Sequence, residues 1–198
     1  MGKKKIGLWV GVGIILLISI YLGSTYNSLM KKEEQVKLKW AEVESTYQRR
    51  LSLIPNLVSV VKGMSGFEAE TLVEVITARE KAASGFSVTD VTGENVEAVT
   101  RLQDSLATAA NRAIAVVENY PTLRGTEAYA GLQTQLEGTE RRIKIARKDF
   151  NEAVASYNVA VRSSTTGLVA RLFGFKPKEG FKADVGADTA VEVKFKND

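Results

Sequence analysis

The chain has 198 residues, with 27 lysines and arginines against 23 aspartates and glutamates, and its net charge of +4 is too small to indicate a nucleic-acid partner. It contains no cysteine and no histidine. Disulfides, thiol nucleophiles, Ser-His-Asp triads and histidine-based zinc or di-iron sites are therefore excluded. We expect no catalytic residues, no metal site and no cofactor.

The first predicted element is an uncharged run from Ile6 to Met30. As a helix, this run is long enough to cross the roughly 30 Å hydrocarbon core of a bilayer. A cleaved signal peptide is the alternative, because lysines precede the run, but the run is long and lacks an A-x-A-like exit. We predict that residues 1–30 form an uncleaved single-pass anchor. The short basic N-terminus favours a domain outside the cytoplasm, although Lys31 and Lys32 follow the run closely.

Gly7 and Gly11 form a G-x-x-x-G motif inside the predicted anchor. This spacing lets the backbones of two membrane helices approach each other closely. A homo-oligomer that associates through the membrane segment is therefore one prediction, although a single match to so short a motif has low specificity.

Residues 31–166 predict an antiparallel four-helix bundle whose first and fourth helices are long. In the first helix, two rows of mostly apolar residues repeat every seven positions: Leu29, Val36, Val43, Arg50 and Leu57 in one row, and Glu33, Trp40, Tyr47, Ile54 and Val61 in the other. Such rows are typical of helices that pack along a seam. Pro55 lies within the pattern and predicts a local bend, because proline cannot donate the backbone hydrogen bond of a helix.

The remaining helices are predicted from their end signals. Ser65 and Glu68 form a capping box at the start of the second helix. The third helix is expected to stop at Pro121, and Thr126 is the predicted N-cap of the fourth.

Residues 167–198 differ in character from the bundle. A compact apolar segment ends in Phe173-Gly174-Phe175, and the rest is expected to be a flexible tail. The fourth helix of an up-down-up-down bundle returns to the membrane. Phe173 and Phe175 would then either rest at the membrane interface or cap the open end of the bundle, and the sequence leaves both possibilities open.

Seven polar or charged side chains are candidates for one network, six of them on or beside the helix seams and Glu118 near the end of the third helix: Arg50, Arg79, Glu118, Glu140, Arg147, Asn151 and Asn158. A buried charge is costly unless it is paired and hydrogen-bonded. One interpretation is therefore a network between helices that fixes their register. The other is a polar groove that takes a ligand or a partner peptide.

Several short motifs appear in order along most of the chain: Trp40, Arg49-Arg50, Leu53-Ile54-Pro55-Asn56-Leu57-Val58, Glu118-Asn119-Tyr120-Pro121 and Phe173-Gly174-Phe175. In these motifs the chain resembles the LemA family of bacterial membrane-anchored helical proteins. The resemblance implies a transmembrane helix followed by an all-helical domain, and no established enzymatic activity. The chain departs from the family pattern at Ser52, where an aspartate is usual.

We therefore predict a non-enzymatic, single-pass protein of the bacterial cell membrane whose helical bundle binds or organises other envelope proteins. The alternative is a helical sensor, or a domain that binds a small solute in a polar groove between helices. A Ser-Lys hydrolase is a more distant possibility, because S-x-x-K occurs at Ser28 and Ser59 without the accompanying motifs of penicillin-recognising enzymes.

Overall fold

In a computed structural model, the chain is described over residues 3–62, 69–85, 92–120 and 126–182. Within these ranges there are five helices and no β-strand: α1 (Lys3–Lys62), α2 (Ala69–Ser84), α3 (Gly93–Glu118), α4 (Glu127–Arg162) and α5 (Gly167–Leu172). The all-α prediction and the long first helix are confirmed. The predicted capping box of α2 and the stop at Pro121 lie outside the described residues.

Helix α1 runs unbroken from the uncharged run into the helical domain and packs mainly against α4. In both predicted heptad rows, every residue except Glu33 is buried, and Arg50 is buried with them. The seven-residue spacing was therefore a correct guide to the packed face of α1. Helices α2 and α3 pack chiefly against each other and cover part of this α1–α4 pair.

The apolar interior consists of two clusters arranged along α1. The upper cluster surrounds α1 residues 51–61 and receives side chains from α2, α3 and α4. The lower cluster surrounds α1 residues 29–47 and receives side chains from the start of α3, from α4 and from α5. Four helices thus enclose the upper cluster, whereas the lower cluster is closed partly by elements that follow α4.

Two helix starts are fixed by threonine caps. The predicted Thr126 cap of α4 is confirmed, because its hydroxyl accepts a hydrogen bond from the backbone N–H of Tyr129 at 3.3 Å. Thr92 caps α3 in the same way through the N–H of Asn95. A threonine in this position satisfies a backbone donor that the helix itself cannot reach.

Pro55 lies inside α1 without ending the helix. Because proline has no N–H, the carbonyl four residues earlier, on Leu51, loses its helical partner. Arg79 of α2 replaces it, since its Nε donates to that carbonyl at 3.2 Å. Leu51 is buried, so an unpaired carbonyl there would be costly. The arginine therefore compensates for the proline.

The N-terminal part of α1 has the properties of a membrane-crossing helix. Its most apolar 18-residue window has a mean hydropathy of 2.0, and none of that window is buried against the rest of the protein. Packing against the bundle begins near the end of the uncharged run, where the Tyr21 hydroxyl donates to the carbonyl of Thr165 at 2.6 Å and Thr25 is buried. The apolar helix and the first helix of the helical domain are thus one continuous element.

The pairing of Arg79 with the Leu51 carbonyl predicts a coupling with Pro55. Arg79→Met should lower the free energy of unfolding by about 1.5–3 kcal/mol, the usual range for a hydrogen bond to a charged group. In a Pro55→Ala background, the new N–H can bond to Leu51, so the same substitution should cost clearly less. Urea unfolding of the full chain in detergent, followed by circular dichroism, measures both values. Equal losses in the two backgrounds would contradict the assignment.

Candidate functional site: a groove filled by the C-terminal segment

The extended segment of residues 175–182, here called the strap, follows α5 and lies over the lower cluster. It enters this position through a turn at Gly174, whose φ of +79° is a backbone conformation that favours glycine. In this turn the N–H of Phe175 donates to the carbonyl of Ala170, and the N–H of Gly174 to that of Arg171. The turn directs the chain from the end of α5 into a groove between α1, α4 and the start of α3.

Asn158 holds the strap by its backbone. Its side-chain oxygen accepts from the N–H of Lys178 at 2.9 Å, and its Nδ2 donates to the carbonyl of the same residue at 2.8 Å. Both polar groups of one strap residue are therefore satisfied by a single amide side chain. Such a pair of bonds does not depend on the identity of the strap residue.

Asn151 repeats this arrangement two helical turns away. Its oxygen accepts from the N–H of Phe181 at 2.8 Å, and its Nδ2 donates to the carbonyl of Phe181 at 3.2 Å. The neighbouring Gly180 passes close by, because a Cβ atom added there would lie 2.5 Å from the Asn151 oxygen. Real Cβ atoms do not approach so closely, so this position accommodates glycine.

The side chain of Phe181 occupies an aromatic pocket. Its ring stacks on Trp40 with centroids 6.1 Å apart and meets Phe150 edge-on at 5.4 Å. The Arg147 guanidinium lies 5.1 Å from the Phe181 ring centroid, which is a cation–π distance. Trp40 and Phe150 also contact each other at 5.4 Å, so the two pocket walls are packed together independently of the strap.

The side chain of Lys178 occupies a second pocket. Its ammonium group is 2.9 Å from a carboxylate oxygen of Glu33 and 5.6 Å from the centroid of the Tyr157 ring. Burial, with a further contribution from the Glu33 charge, raises the pKa of Tyr157 to about 12. The phenol therefore stays neutral near pH 7 and presents an uncharged aromatic face to the lysine.

Arg147 connects the groove to the helix core. Its Nε donates to the Tyr47 hydroxyl at 2.8 Å, and its Nη2 bonds to Asp104 of α3 at 2.6 Å. Burial raises the pKa of Tyr47, so this hydroxyl also remains protonated near neutral pH. Arg147 of α4 thus links its own helix to α1 and α3 beneath the ring of Phe181.

Arg50 forms a second polar centre, deeper in the bundle. Its Nε and Nη2 bond to the two carboxylate oxygens of Glu140 at 2.8 and 2.5 Å, and its Nη1 donates to the backbone carbonyl of Gln103 at 2.9 Å. The Arg50 side chain is 3% exposed and the Glu140 side chain 47% exposed. This bidentate pair ties α1 to α4 and α3 in one register.

The structure therefore divides the seven predicted polar residues into groups. Arg50 and Glu140 pair with each other, and Arg147, Asn151 and Asn158 line the strap groove. Arg79 lies apart from both sites on the Leu51 carbonyl, and Glu118 is exposed at the end of α3. Among the described residues, Glu118 pairs with none of the other six.

The other predicted positions lie near the N-terminal end of the bundle. Phe173 and Phe175 both contact the ring of Tyr26, with centroids 5.0 and 5.6 Å away. Phe173 is about half exposed. Gly7 and Gly11 have open space where a Cβ would lie.

Sequence reasoning missed the strap and its two anchoring side chains, Lys178 and Phe181. The available signal was the pair Asn151 and Asn158, seven residues apart beside an apolar seam. The described ranges contain no group of three acidic residues that could hold a metal ion. Arg141, in the basic stretch of α4, is exposed.

A sequence model of the LemA family matches residues 39–195, which is most of the chain. The chain belongs to the LemA family. Its relatives include the magnetosome protein MamQ of Magnetospirillum gryphiswaldense, which is 25% identical over 96% of this chain and 78% of its own length. MamQ 1 and MamQ 2 of Paramagnetospirillum magneticum are each 27% identical over 84% of this chain and 68% of theirs.

The predicted family resemblance is therefore confirmed, and this LemA-family chain is a membrane-associated helical protein. The family match includes the strap, the buried Arg50 and the groove residues of α3 and α4, together with Trp40, but it begins after Glu33. It begins after the uncharged run. The family thus shares the helical domain, and neither its description nor the names of the relatives states an enzymatic activity.

The Arg50–Glu140 pair predicts a non-additive mutational response. Glu140→Gln leaves the buried Arg50 without its carboxylate partner and should cost about 1–3 kcal/mol of unfolding free energy. Arg50→Met should also be destabilising, whereas the double variant should cost less than the two single losses combined. Urea unfolding of the four chains measures this coupling. Strictly additive losses would show that the two side chains do not stabilise each other.

Proposed function

We propose that this LemA-family protein is a non-enzymatic, single-pass protein of the bacterial cell membrane that presents a rigidly oriented helical bundle to other envelope proteins. The observation that carries the proposal is the continuity of α1. One unbroken helix supplies both the membrane-length apolar run and the packed face of the bundle. The bundle therefore has no flexible linker to its anchor, and its surfaces keep a fixed height and direction above the bilayer.

The length of α1 places the base of the bundle at the membrane surface. Counted from Ile6, about 20 residues of helix span the roughly 30 Å hydrocarbon core, which then ends near Thr25. The turn before α5 reaches back to Tyr21, and the residues after α5 contact Tyr26. With an upright anchor, α5 would therefore lie at the outer edge of the bilayer.

The exposed side of α5 is suited to that position. Leu168 and Leu172 are 71% and 69% exposed, whereas Val169 and Ala170 on the opposite side are buried in the lower cluster. Leucines exposed to this degree are favourable in the headgroup region of a membrane, where a short amphipathic helix can bury them. Arg171 can extend its charge toward the headgroups.

The surface offered to a partner lies on the side of α1 away from the strap. An open depression of about 550 Å³ between α1 and α4 is lined by Leu38 and Ile145 together with charged residues such as Arg142 and Asp149. Leu38 lies about 140° around α1 from Glu33. Both apolar side chains are about half exposed. An apolar centre with a polar rim is the usual arrangement of a protein-binding surface.

The alternative of a small-solute site receives less support. The polar side chains that would bind a solute, Arg147, Asn151 and Asn158, are engaged with the strap. Recognition of a peptide backbone and of surface side chains fits a protein partner better than a small molecule. We therefore favour a role in binding or organising proteins, with the bundle outside the cytoplasm.

The membrane contact of α5 can be measured in vesicles. The natural chain has no cysteine, so Leu172→Cys and Val73→Cys can each carry one polarity-sensitive fluorophore. In vesicles of phosphatidylethanolamine and phosphatidylglycerol, nitroxide lipids should quench the label at position 172 strongly. The label at Val73, which is 61% exposed on α2, is the matched control and should be quenched little.

Equal quenching at the two positions would rule out the proposed contact between α5 and the bilayer. The Val73→Cys chain also reports orientation. If the bundle is outside the cytoplasm, a membrane-impermeant maleimide should label this cysteine in intact cells from which any outer permeability barrier has been removed. Protection from the reagent until the cells are lysed would reverse the proposed orientation.

Partner binding can be tested with a photo-crosslinking amino acid placed at Ile145 in cells. The depression between α1 and α4 should yield a small number of discrete membrane or envelope proteins, identified by mass spectrometry. The same amino acid at Val73 is the control for non-specific capture. If the two positions give the same products, or if Ile145 gives none, this surface is not a partner site.

A further inference from the structure

The strap groove has a repeat that matches an extended peptide. Asn151 and Asn158 are seven residues apart on α4, a distance of roughly 10.5 Å along a helix. The strap residues that they hold, Phe181 and Lys178, are three residues apart, which is roughly 10 Å in an extended chain. The two asparagines can therefore bind the backbone of two residues that are three positions apart in an extended peptide.

The side-chain pockets add sequence preference to this backbone recognition. The Trp40–Phe150 pocket takes an aromatic ring, and the Glu33 pocket takes a lysine three positions earlier. The close approach at Asn151 favours glycine immediately before the aromatic residue, because a Cβ there would displace the Asn151 oxygen that holds the strap. Together these contacts favour a bound peptide with the sequence pattern Lys-x-Gly-Phe.

Charge along the groove favours a basic occupant. Glu33 pairs with Lys178, and Glu97 of α3 pairs with Lys182 at 3.2 Å. Both acidic residues belong to helices, and Glu97 also pairs with Arg101 of α3 at 3.2 Å. The groove thus presents carboxylates to two lysines that flank the aromatic ring.

Three of the side chains that line the groove also have contacts within the helices. Trp40 and Phe150 contact each other and belong to the buried rows of α1 and α4. Arg147 is held by Tyr47 and Asp104. The strap adds no helix or strand of its own to the fold. It lies in the groove as a ligand would.

We propose that this groove is a peptide-binding site, and that an extended segment with a Lys-x-Gly-Phe pattern from another envelope protein can replace the strap. The strap is then a tethered competitor that keeps the site closed until such a segment displaces it. The choice of an envelope protein as the source rests on the proposed function. The recognition of the peptide rests on the contacts alone.

The test uses full-length chains in detergent whose strap is weakened. In one chain, Lys178→Ala and Phe181→Ala remove both side-chain anchors and leave every groove residue intact. In a second, Gly180→Val introduces the close contact with Asn151 and should expel the strap. Circular dichroism checks that both remain helical. A fluorescent peptide of residues 176–182, KPKEGFK, is the probe, and its anisotropy reports binding.

Both variants should bind the probe saturably and more tightly than the natural chain, in which the strap competes. A matched peptide with alanine in place of its phenylalanine should bind at least about ten-fold more weakly, because burial of a phenylalanine ring contributes at least a factor of that order. Adding Asn151→Asp to the receptor should also weaken binding about ten-fold. The aspartate cannot donate to the peptide carbonyl.

Two results would overturn the proposal: no saturable binding to either variant, or equal binding of the phenylalanine and alanine peptides. Neither result affects the photo-crosslinking test at Ile145, which lies on another surface. Conversely, peptide binding without any crosslinked partner would support the groove as a peptide site while leaving the proposed organising role without support. The two hypotheses therefore fail separately.

Discussion

The pairing of α1 with α4 is the contact on which the rest of the structure depends. These two helices are 60 and 36 residues long, whereas α2 has only 16 residues and α3 has 26. The shorter helices enclose the upper cluster but leave the lower part of the pair incompletely covered. An apolar surface on two packed helices is unfavourable in water, so α5 and the strap must cover it.

The packed faces of the long helices could be predicted from the sequence because they repeat. Rows such as Val36, Val43 and Arg50 carry a seven-residue period that survives even the proline at position 55. The sequence predicts Arg50 on a seam, and the residue is buried there and paired with Glu140. The sequence predicts Arg79 in a polar network with other side chains. Its partner is instead a backbone carbonyl, whose need for a donor arises from a proline four residues further along α1.

The strap could not be predicted in the same way, for a physical reason. Periodicity arises when one face of a regular helix or strand is buried, and residues 175–182 form neither. Their positions are fixed largely through backbone groups that all residues share, so most strap positions leave no pattern in the sequence. The signal lay in the groove instead. Asparagines at 151 and 158 beside an apolar seam are costly to bury unless they form hydrogen bonds with other polar groups.

The proposed membrane contact and the proposed peptide site share one short piece of chain. Phe173 and Phe175 lie on either side of the Gly174 turn and both contact Tyr26, at the end of the apolar run. The bilayer would hold α5 on one side of this turn, and the groove holds the strap on the other. Only Lys176 and Pro177 separate Phe175 from the first residue held by Asn158. The two proposed contacts are therefore adjacent in the chain, so a variant that disturbs the Gly174 turn would disturb both.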